Sequence, residues 1–216
     1  MHKEMAGDLE APDGAVTGVS RAAERRERLI QAARTLFAEH GFHGAGIAQI
    51  ASLSGVKVGQ IYRDFASKEE IVGAIVEADL NAFLDQPALL AAVSRRDRHA
   101  LRAWIGDLVL RKAHPDEAPL LPEILAESAR NERIAAIVRC TDTRVRDSLL
   151  SALAAFPSSP ACPERLATSA DLIMTVMMGL CSRQIARLQS DSAPLVHRVQ
   201  QIIDREIETI VAASAP

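Results

Sequence analysis

A polar run between residues 57 and 63 contains side chains that can bind nucleic acid. Lys57 and Arg63 are cations, Tyr62 carries a hydroxyl, and Gln60 has both a hydrogen-bond donor and an acceptor. Cations and hydroxyls contact phosphate oxygens, and a carboxamide can read a base edge in the major groove. The predicted outward-facing set is Lys57, Val58, Gly59, Gln60, Tyr62 and Arg63.

Two short helices joined by a tight turn are expected to position this set, within residues 47–65. Ile50 and Ala51 give the first helix an apolar face, and Gly55 lies where the turn requires a positive φ. The buried face of the second helix is predicted to contain Val56, Ile61 and Phe65. This pattern predicts a helix-turn-helix, whose second helix can enter a DNA groove. An αα-hairpin of a helical bundle, with the same glycine turn and polar face, is the alternative.

The flanking segments favour the nucleic-acid interpretation because they complete a small helical module. An upstream helix with a helical apolar period ends at Gly41, a C-terminal cap signal. Its apolar positions are Leu29, Ile30, Ala33, Leu36 and Phe37. Downstream, Ser67 followed three residues later by Glu70 predicts a capping box that opens a fourth helix. Three helices and a capped fourth form one compact unit.

Residues 30–71 resemble the tetracycline repressor (TetR) family of transcription regulators. The matching residues stand in fixed register along the module and cover about a fifth of the chain. They are Ala32, Ala33, Leu36, Phe37, Gly41, Phe42, Ile50, Ala51, Gly55, Val56, Gly59, Ile61, Tyr62, Phe65, Lys68, Glu69 and Ile71.

The chain departs from the usual family pattern at three places. Ala45 and Gly46 replace a Thr pair before the second helix, although glycine can still cap a helix and offer its N–H to phosphate. Lys57 replaces a capping Ser and adds a charge that can reach phosphate or guanine. Asp64 replaces a common His or Tyr, and we expect it to pair with Arg63 or another cation.

The resemblance implies a homodimeric repressor that binds an inverted repeat in double-stranded DNA and is released by a small-molecule effector. Gln60 is expected to read a base edge. Tyr62 and Lys68, by resemblance, are expected to hold phosphates, and an N-terminal arginine arm is expected to position the protein without specifying sequence. The predicted DNA-binding residues are Arg21, Arg25, Arg26, Gly46, Lys57, Val58, Gln60, Tyr62, Arg63 and Lys68.

The charge distribution agrees with a basic module joined to an acidic one. The net charge of the chain is −3, but residues 21–68 contain eight cations and four acids, which leaves −7 on the remainder. Such asymmetry suits electrostatic docking of one end on a polyanion. For the first helix taken alone, a solvated arginine-rich face explains the charges equally well.

The rest of the 216-residue chain predicts an all-α fold with about nine helices. We expect a disordered tail over residues 1–20, a helix-turn-helix domain over 21–67, and a helical ligand-binding and dimerisation domain over 68–216. The expected later helices cover 68–84, 88–93, 95–113 with Ser94 as its cap, 120–130, 131–155, 164–188 and 195–213.

Several other functions lack a motif in the sequence. No nucleophile elbow, P-loop, HExxH or CxxC motif is present, so we predict neither an enzyme nor a cofactor or metal site. His40 and His43 are a weak metal-ligand spacing beside a solvated-loop interpretation. The scattered Cys140, Cys162 and Cys181 fit a reducing cytoplasm. The nearly apolar run 172–181 is too short for a membrane, and no targeting signal is found.

A ligand-binding role is predicted for apolar, methionine and acidic side chains of the second domain. An aliphatic interior with a few acids can enclose an apolar or amphipathic molecule with a polar or cationic end. Each of these side chains has an alternative, since tryptophan and methionine also fill cores and carboxylates are also solvated. The predicted contacts are Phe83, Trp104, Leu108, Glu123, Glu127, Met174 and Met178.

The last two helices are predicted to pair with their copies in a four-helix dimer interface. They present apolar residues at helical spacing, and Gly179 allows close approach. The predicted interface contains Ile173, Val176, Gly179, Leu180, Val199, Ile203, Ile207 and Ile210. Packing of these stripes within their own domain is the alternative for assembly. For the function as a whole, the alternative is a helical ligand-carrying or protein-interaction module without sequence-specific DNA binding.

Overall fold

Helices form the whole described fold of the computed structural model, which covers residues 14–110, 120–157, 161–186 and 193–213. Within these ranges there are ten helices and no strand, which confirms the predicted all-α class. In chain order they are α1 Gly14–Gly44, α2 Ile47–Ser54, α3 Val58–Asp64, α4 Lys68–Leu84, α5 Gln86–Arg95, α6 Arg98–Leu110, α7 Leu120–Ser128, α8 Glu132–Ala154, α9 Pro163–Ala186 and α10 Ala193–Ala212.

The first helix begins earlier than the sequence analysis predicted. Residues 14–20 are helical rather than part of a disordered tail, and residues 1–13 lie outside the described residues. Extending an existing helix costs less than nucleating one, and no proline interrupts these positions. The predicted end at Gly41 is marked by a break in the helix, where the backbone has φ 71° and ψ 171°.

The start of α4 carries the predicted cap in a slightly shifted form. Ser67 Oγ accepts a hydrogen bond from the Glu70 N–H at 3.4 Å. The Glu70 carboxylate reaches back to the N–H of Ala66, at 2.8 Å, rather than to that of Ser67. This exchange satisfies two amide groups and fixes where the chain turns from α3 into α4.

The cap of α6 differs from the prediction. Ser94 lies in the last turn of α5, where its hydroxyl donates to the Ala91 carbonyl. Asp97 caps α6 instead, because its Oδ1 accepts the amide hydrogens of His99 and Ala100 at 3.1 and 3.0 Å. A carboxylate is as effective a cap as a serine hydroxyl, and it directly precedes the helix.

The apolar core of the N-terminal module extends beyond its own helices. It contains side chains from α1 to the first half of α4, such as Phe37, Ile50 and Ile61. Leu120 and Ile124 from α7 and Ile134 from α8 belong to the same cluster. Helices α7 and α8 therefore complete the core of the module.

A second core lies among the distal half of α4 and helices α5, α6, α8, α9 and α10. Trp104 is part of it, with 7 % of its surface exposed, and its Nε1–H donates to the Leu84 carbonyl at 2.7 Å. That bond satisfies a carbonyl left unpaired at the end of α4. Trp104 is a core and capping residue, which corrects its predicted role as a ligand contact.

The apolar stripes predicted to form the dimer interface mostly pack inside the protomer. Their side chains are at most 6 % exposed, because the strongest apolar face of an amphipathic helix turns toward its own core. The buried set is Ile173, Leu180, Val199, Ile203, Ile207 and Ile210. Val176 is half-buried against the same core and Gly179 is exposed. The six buried residues are thus wrongly assigned to a dimer contact.

Candidate nucleic-acid interface

Helix α3 presents most of the predicted contact set to solvent. Ile61 is fully buried and holds the helix against the module. On the opposite side, Val58 and Tyr62 are 41 and 55 % exposed, and Lys57 and Arg63 are also exposed. The short polar helix therefore offers cations and a phenol on one accessible face.

The turn before α3 has the geometry that the sequence predicted. Gly55 has φ 69°, in the left-handed region that a side chain would disfavour. Val56 then returns to the core at 5 % exposure. The turn thus fixes where α3 leaves α2.

The amide group of Gly46 has a protein partner. Its N–H donates to Gln49 Oε1 at 2.6 Å, at the start of α2. This bond is the half of a capping box that the residue at N3 supplies, and it satisfies the N–H of the cap residue. The expectation that a bare Gly46 N–H meets phosphate is therefore corrected, and the sequence signal for the bond is a glutamine three residues after the cap.

Asp64 pairs with a cation on α1 rather than with its neighbour Arg63. The Arg25 Nε and Nη2 atoms donate to the two Asp64 carboxylate oxygens at 2.9 and 3.1 Å. This hydrogen bonding lowers the pKa of Asp64 below its ordinary value and raises that of Arg25. The pair joins the beginning of the module to the end of its third helix.

Gln60 completes a small network with this pair. When the Gln60 amide is assigned with its oxygen toward the guanidinium, as the donors of Arg25 require, that oxygen accepts from Arg25 Nη1 at 3.2 Å. The predicted base-reading residue is therefore held by a residue predicted to contact phosphate.

The remaining arm residues lie on the exposed side of α1. Arg21 and Arg26 are both exposed, and the Arg26 guanidinium stacks 4.5 Å from the centroid of the Phe65 ring. A stacked guanidinium keeps its donor edge available to an anion. The structure thus places Arg26 beside the end of α3 and leaves Arg21 exposed on α1.

Lys68 occupies a structural position. Its ammonium group donates to the Ala45 carbonyl at 2.9 Å and to the Phe42 carbonyl, and it lies 4.4 Å from the centroid of the Phe42 ring. Burial lowers the pKa of Lys68. The ammonium caps the C-terminal end of α1, so a structural role stands beside the predicted contact with phosphate.

A cavity of about 340 Å³ opens among α4, α6, α7, α8 and α9. Its wall is mainly aliphatic and includes four of the predicted ligand contacts, Phe83, Leu108, Met174 and Met178. The polar lining residues are Asp79, Thr141, Asp142 and Cys181. Its size and apolar lining are typical of sites for small organic molecules.

Two acids of α7 lie at the joint with α1 instead of in this cavity. Glu123 Oε1 accepts the Phe42 N–H at 2.7 Å, directly after the break at Gly41. Glu127 is 3 % exposed, with its Oε2 3.0 Å from His43 Nε2. Their predicted role as ligand contacts is corrected, because α7 turns its leucine face to the cavity and its acidic face to α1.

A partly buried ion pair, which the sequence did not predict, links the module to the cavity wall. Arg34 Nη1 and Nη2 donate to the two Asp79 carboxylate oxygens at 2.8 and 2.5 Å. Arg34 belongs to α1 and Asp79 to α4. The signal in the sequence is a charged residue among the apolar positions of α1.

Metal and membrane sites are not found in the described part of the chain. No group of three or more His, Cys, Asp or Glu residues there is arranged to hold a metal ion. None of the described helices combines the length and the hydropathy that crossing a bilayer requires. Cys140, Cys162 and Cys181 are not joined in disulfides.

Comparisons with known proteins agree with this architecture. Residues 29–75 match the family described as bacterial regulatory proteins, tetR family. The HTH-type transcriptional regulator UidR of Escherichia coli K12 is 30 % identical over 125 residues, which are 55 % of this chain and 59 % of UidR. The matched segment therefore spans less than two thirds of that relative.

Solved structures share the fold over most of the chain. A TetR transcription regulator from Haloarcula marismortui superposes with a TM-score of 0.68 at 18 % identity, over 87 % of this chain and 98 % of the other. A transcriptional regulator from Saccharomonospora viridis in complex with choline gives 0.65 at 20 % identity, over 86 % and 96 %. Family pattern, relative and fold agree: residues 29–75 carry the pattern of the tetR family of bacterial regulatory proteins, and the chain is similar in sequence and fold to transcription regulators of that kind.

Proposed function

We propose that the protein is a homodimeric transcriptional repressor that binds an inverted repeat in DNA and is released by a small lipophilic molecule. The observation that carries this proposal is the exposed face of α3, where Lys57, Tyr62 and Arg63 stand on a helix fixed by the buried Ile61. The protein would act in the cytoplasm, where its DNA lies.

The contacts divide into positioning and reading. Arg21, Arg26 and Lys57 are exposed cations that can hold phosphates on either side of α3, and Tyr62 and Arg63 extend the same surface. Gln60 supplies the base-reading carboxamide. This division predicts a strong salt dependence for all DNA and a sequence preference that depends on α3.

The dimer would use the exposed stripes of α9 and α10 that lie beside the buried ones. On α9 this stripe contains Leu172, which is 41 % exposed, and Gly179, where an added Cβ would meet nothing within 4 Å. On α10 it contains Leu195 and Ile202, at 39 and 40 % exposure. Apolar residues spaced three, four or seven apart with a glycine between them suit close helix packing.

The ligand class follows from the cavity wall. Among its described lining residues there are two carboxylates, Asp79 and Asp142, and no Arg, Lys or His. An acidic rim on an aliphatic cavity favours neutral or cationic lipophilic molecules over carboxylates. The choline bound by the Saccharomonospora viridis regulator is likewise a cation.

Helix α4 is the proposed route from ligand to DNA. It begins at Lys68, beside the end of α1, and five of its residues line the cavity: Val76, Asp79, Leu80, Ala82 and Phe83. A ligand shifts the equilibrium only if it binds the DNA-incompetent arrangement more tightly. An occupant of the wall near Asp79 can do so by displacing α4 relative to α1.

DNA binding is tested by selection from a random duplex pool, followed by fluorescence anisotropy on the enriched and scrambled duplexes across a salt series. We expect an inverted repeat, with Gln60→Ala weakening the enriched duplex by roughly 1 to 3 kcal/mol and the scrambled one little. A protein that enriches no sequence and binds DNA without salt dependence would be a ligand-carrying or interaction module instead.

A further inference from the structure

Gln60 lies within a network that restricts which way its carboxamide can face. Arg25 reaches across from α1 and contacts both Asp64 and Gln60, which are one helical turn apart on α3. The guanidinium therefore occupies the space beside the two side chains. The orientation of Gln60 depends on this cation.

The chemistry of the network decides which end of the amide is held. A guanidinium has only donors, so it binds the Gln60 oxygen, through Nη1 at 3.2 Å, while its Nε and Nη2 groups bind Asp64. The amide NH₂ is consequently directed away from Arg25. Reversing the amide would place its NH₂ against the N–H groups of Arg25, where no acceptor is available.

Asp64 keeps the cation in place. Its two carboxylate oxygens bind the same guanidinium at 2.9 and 3.1 Å, a paired geometry that is stronger and more directional than a single bond. Because Arg25 is held at this position, Asp64 acts on Gln60 through Arg25 and is a positioning residue.

We propose that Arg25 and Asp64 fix Gln60 as a hydrogen-bond donor, so that Gln60 reads the guanine of a G·C pair in each half-site. The inference rests on the proposed DNA-binding function and specifies the base that this surface recognises. It also gives Arg25 a task in sequence reading instead of phosphate binding.

The choice of guanine follows from the groove edges of the bases. In the major groove guanine presents two acceptors, O6 and N7, which an NH₂ group can bind. The usual pairing of glutamine with adenine needs the amide oxygen to accept from N6–H. That oxygen is held by Arg25. Adenine N7 and thymine O4 are single acceptors, which stand beside the adenine N6–H donor and the thymine methyl group, and cytosine presents a donor. Guanine, with two adjacent acceptors, therefore offers the NH₂ group the most favourable edge.

The test is selection from a random double-stranded DNA pool with the full-length protein and four variants. Gln60→Ala identifies the half-site position read by Gln60, because that position loses its preference. Arg25→Met removes the fork and keeps an apolar stem, and Asp64→Asn is a second, milder way to loosen it. Arg26→Met is the matched control, since it removes the neighbouring charge of the same helix. Circular dichroism melting verifies that each variant is folded.

We expect the wild type to prefer G·C over A·T at that position by about tenfold, as a well-placed base contact allows. Arg25→Met should reduce this ratio to about twofold or reverse it, Asp64→Asn should reduce it less, and Arg26→Met should lower affinity with the ratio unchanged. An A·T preference of the wild type, or the same motif for Arg25→Met, would overturn the inference alone. Failure of the wild type to enrich any sequence would overturn the proposed function as well.

Discussion

Arg34 of α1 and Asp79 of α4 are joined by two hydrogen bonds of 2.8 and 2.5 Å, and Asp79 is also part of the cavity wall. The Arg34 side chain is 11 % exposed, whereas that of Asp79 is 39 % exposed. One carboxylate thus contacts both the DNA-binding module and the proposed ligand site. A cationic occupant beside Asp79 would compete with Arg34 for this carboxylate.

Asp79→Asn tests the structural weight of this contact. The substitution keeps the shape of the side chain but removes the charge that the nearly buried Arg34 faces. We expect the free energy of unfolding to fall by about 1 to 2 kcal/mol, as for a charge-assisted pair that is partly solvated. Urea denaturation at pH 7 measures the change.

Glu77→Gln is the matched control for Asp79. Glu77 lies on the same helix and pairs with Arg144, but the Glu77 side chain is 56 % exposed. Its substitution should change stability by less than about 0.5 kcal/mol, because exposed pairs contribute little. Equal losses for the two variants would mean that the Arg34 pair has no special weight.

Lys68→Met separates a structural role from phosphate binding. Because the ammonium group caps the carbonyls of Phe42 and Ala45, its removal should destabilise the fold by about 1 to 3 kcal/mol. Lys57→Met, at an exposed position on α3, should leave stability within about 0.5 kcal/mol and reduce the slope of the DNA salt dependence by about one. Urea denaturation and anisotropy measure the two effects.

The opposite pattern would contradict the assignment of Lys68. If Lys68→Met left stability intact and reduced the salt slope as much as Lys57→Met, the lysine would hold phosphate in the complex, as family resemblance alone suggested.

The pair of Arg25 and Asp64 predicts a pH-dependent contribution to stability. The Asp64 pKa is lowered in the folded protein by hydrogen bonds from Arg25, so the pair stabilises the fold above the ordinary carboxyl pKa of about 4. This stabilisation is lost as the pH falls through the lowered value. The melting-temperature difference between wild type and Asp64→Asn should therefore be largest at pH 7 and shrink below pH 4.

The control for this titration is Glu27→Gln, an exposed carboxylate of α1 that bonds to Gln31. Its melting temperature should stay close to that of the wild type throughout. A difference for Asp64→Asn that grows on acidification would show that the pKa is raised, contrary to the geometry.

The helix-turn-helix could be predicted from sequence because its determinants are local. The turn at Gly55, the break at Gly41 and the cap at Ser67 depend on backbone preferences of single residues. The apolar period of residues 29–37 likewise needs only neighbours in the chain. All of these features are present in the structure.

The contacts across helices could not be predicted in the same way. Sequence spacing does not show which side of α7 faces which neighbour, so Glu123 and Glu127 were assigned to the cavity, although they contact the end of α1. Long-range pairs such as Arg25 with Asp64 join residues 39 positions apart. Nothing in a single sequence selects one such partner from many.

The stripes predicted for a dimer contact show how a small rotation of a helix exchanges buried and exposed positions. Ile173 and Leu172 are adjacent in sequence, but one is 1 % exposed and the other 41 %. Successive residues of a helix are about 100° apart, so an error of one residue exchanges a core position for a surface position. The apolar period of α9 and α10 predicts the stripe that the protomer itself buries, and the exposed stripe beside it is the one proposed for the dimer contact.

Leu172→Glu combined with Ile202→Glu tests the revised dimer face. Two carboxylates per protomer in an apolar contact between copies should give a monomer at micromolar concentration, because buried like charges repel and are costly to desolvate. Sedimentation equilibrium measures the mass.

Leu90→Glu is the control for this variant, since Leu90 is 62 % exposed on α5, away from both stripes. It should remain dimeric. A wild-type mass of one chain, or an undisturbed dimer in the double variant, would place the assembly elsewhere.

The most direct test of the proposed regulation measures DNA affinity with and without a cavity ligand. Neutral and cationic lipophiles are first screened by thermal shift, with Leu80→Trp as a variant whose larger side chain fills part of the cavity. A compound that stabilises the wild type but not Leu80→Trp is then titrated against the protein on its selected inverted repeat. The account predicts that saturation raises the wild-type Kd for DNA at least about tenfold, within the usual range of allosteric coupling. A Kd unchanged within twofold while the compound fills the cavity, or no compound that binds there, would contradict it.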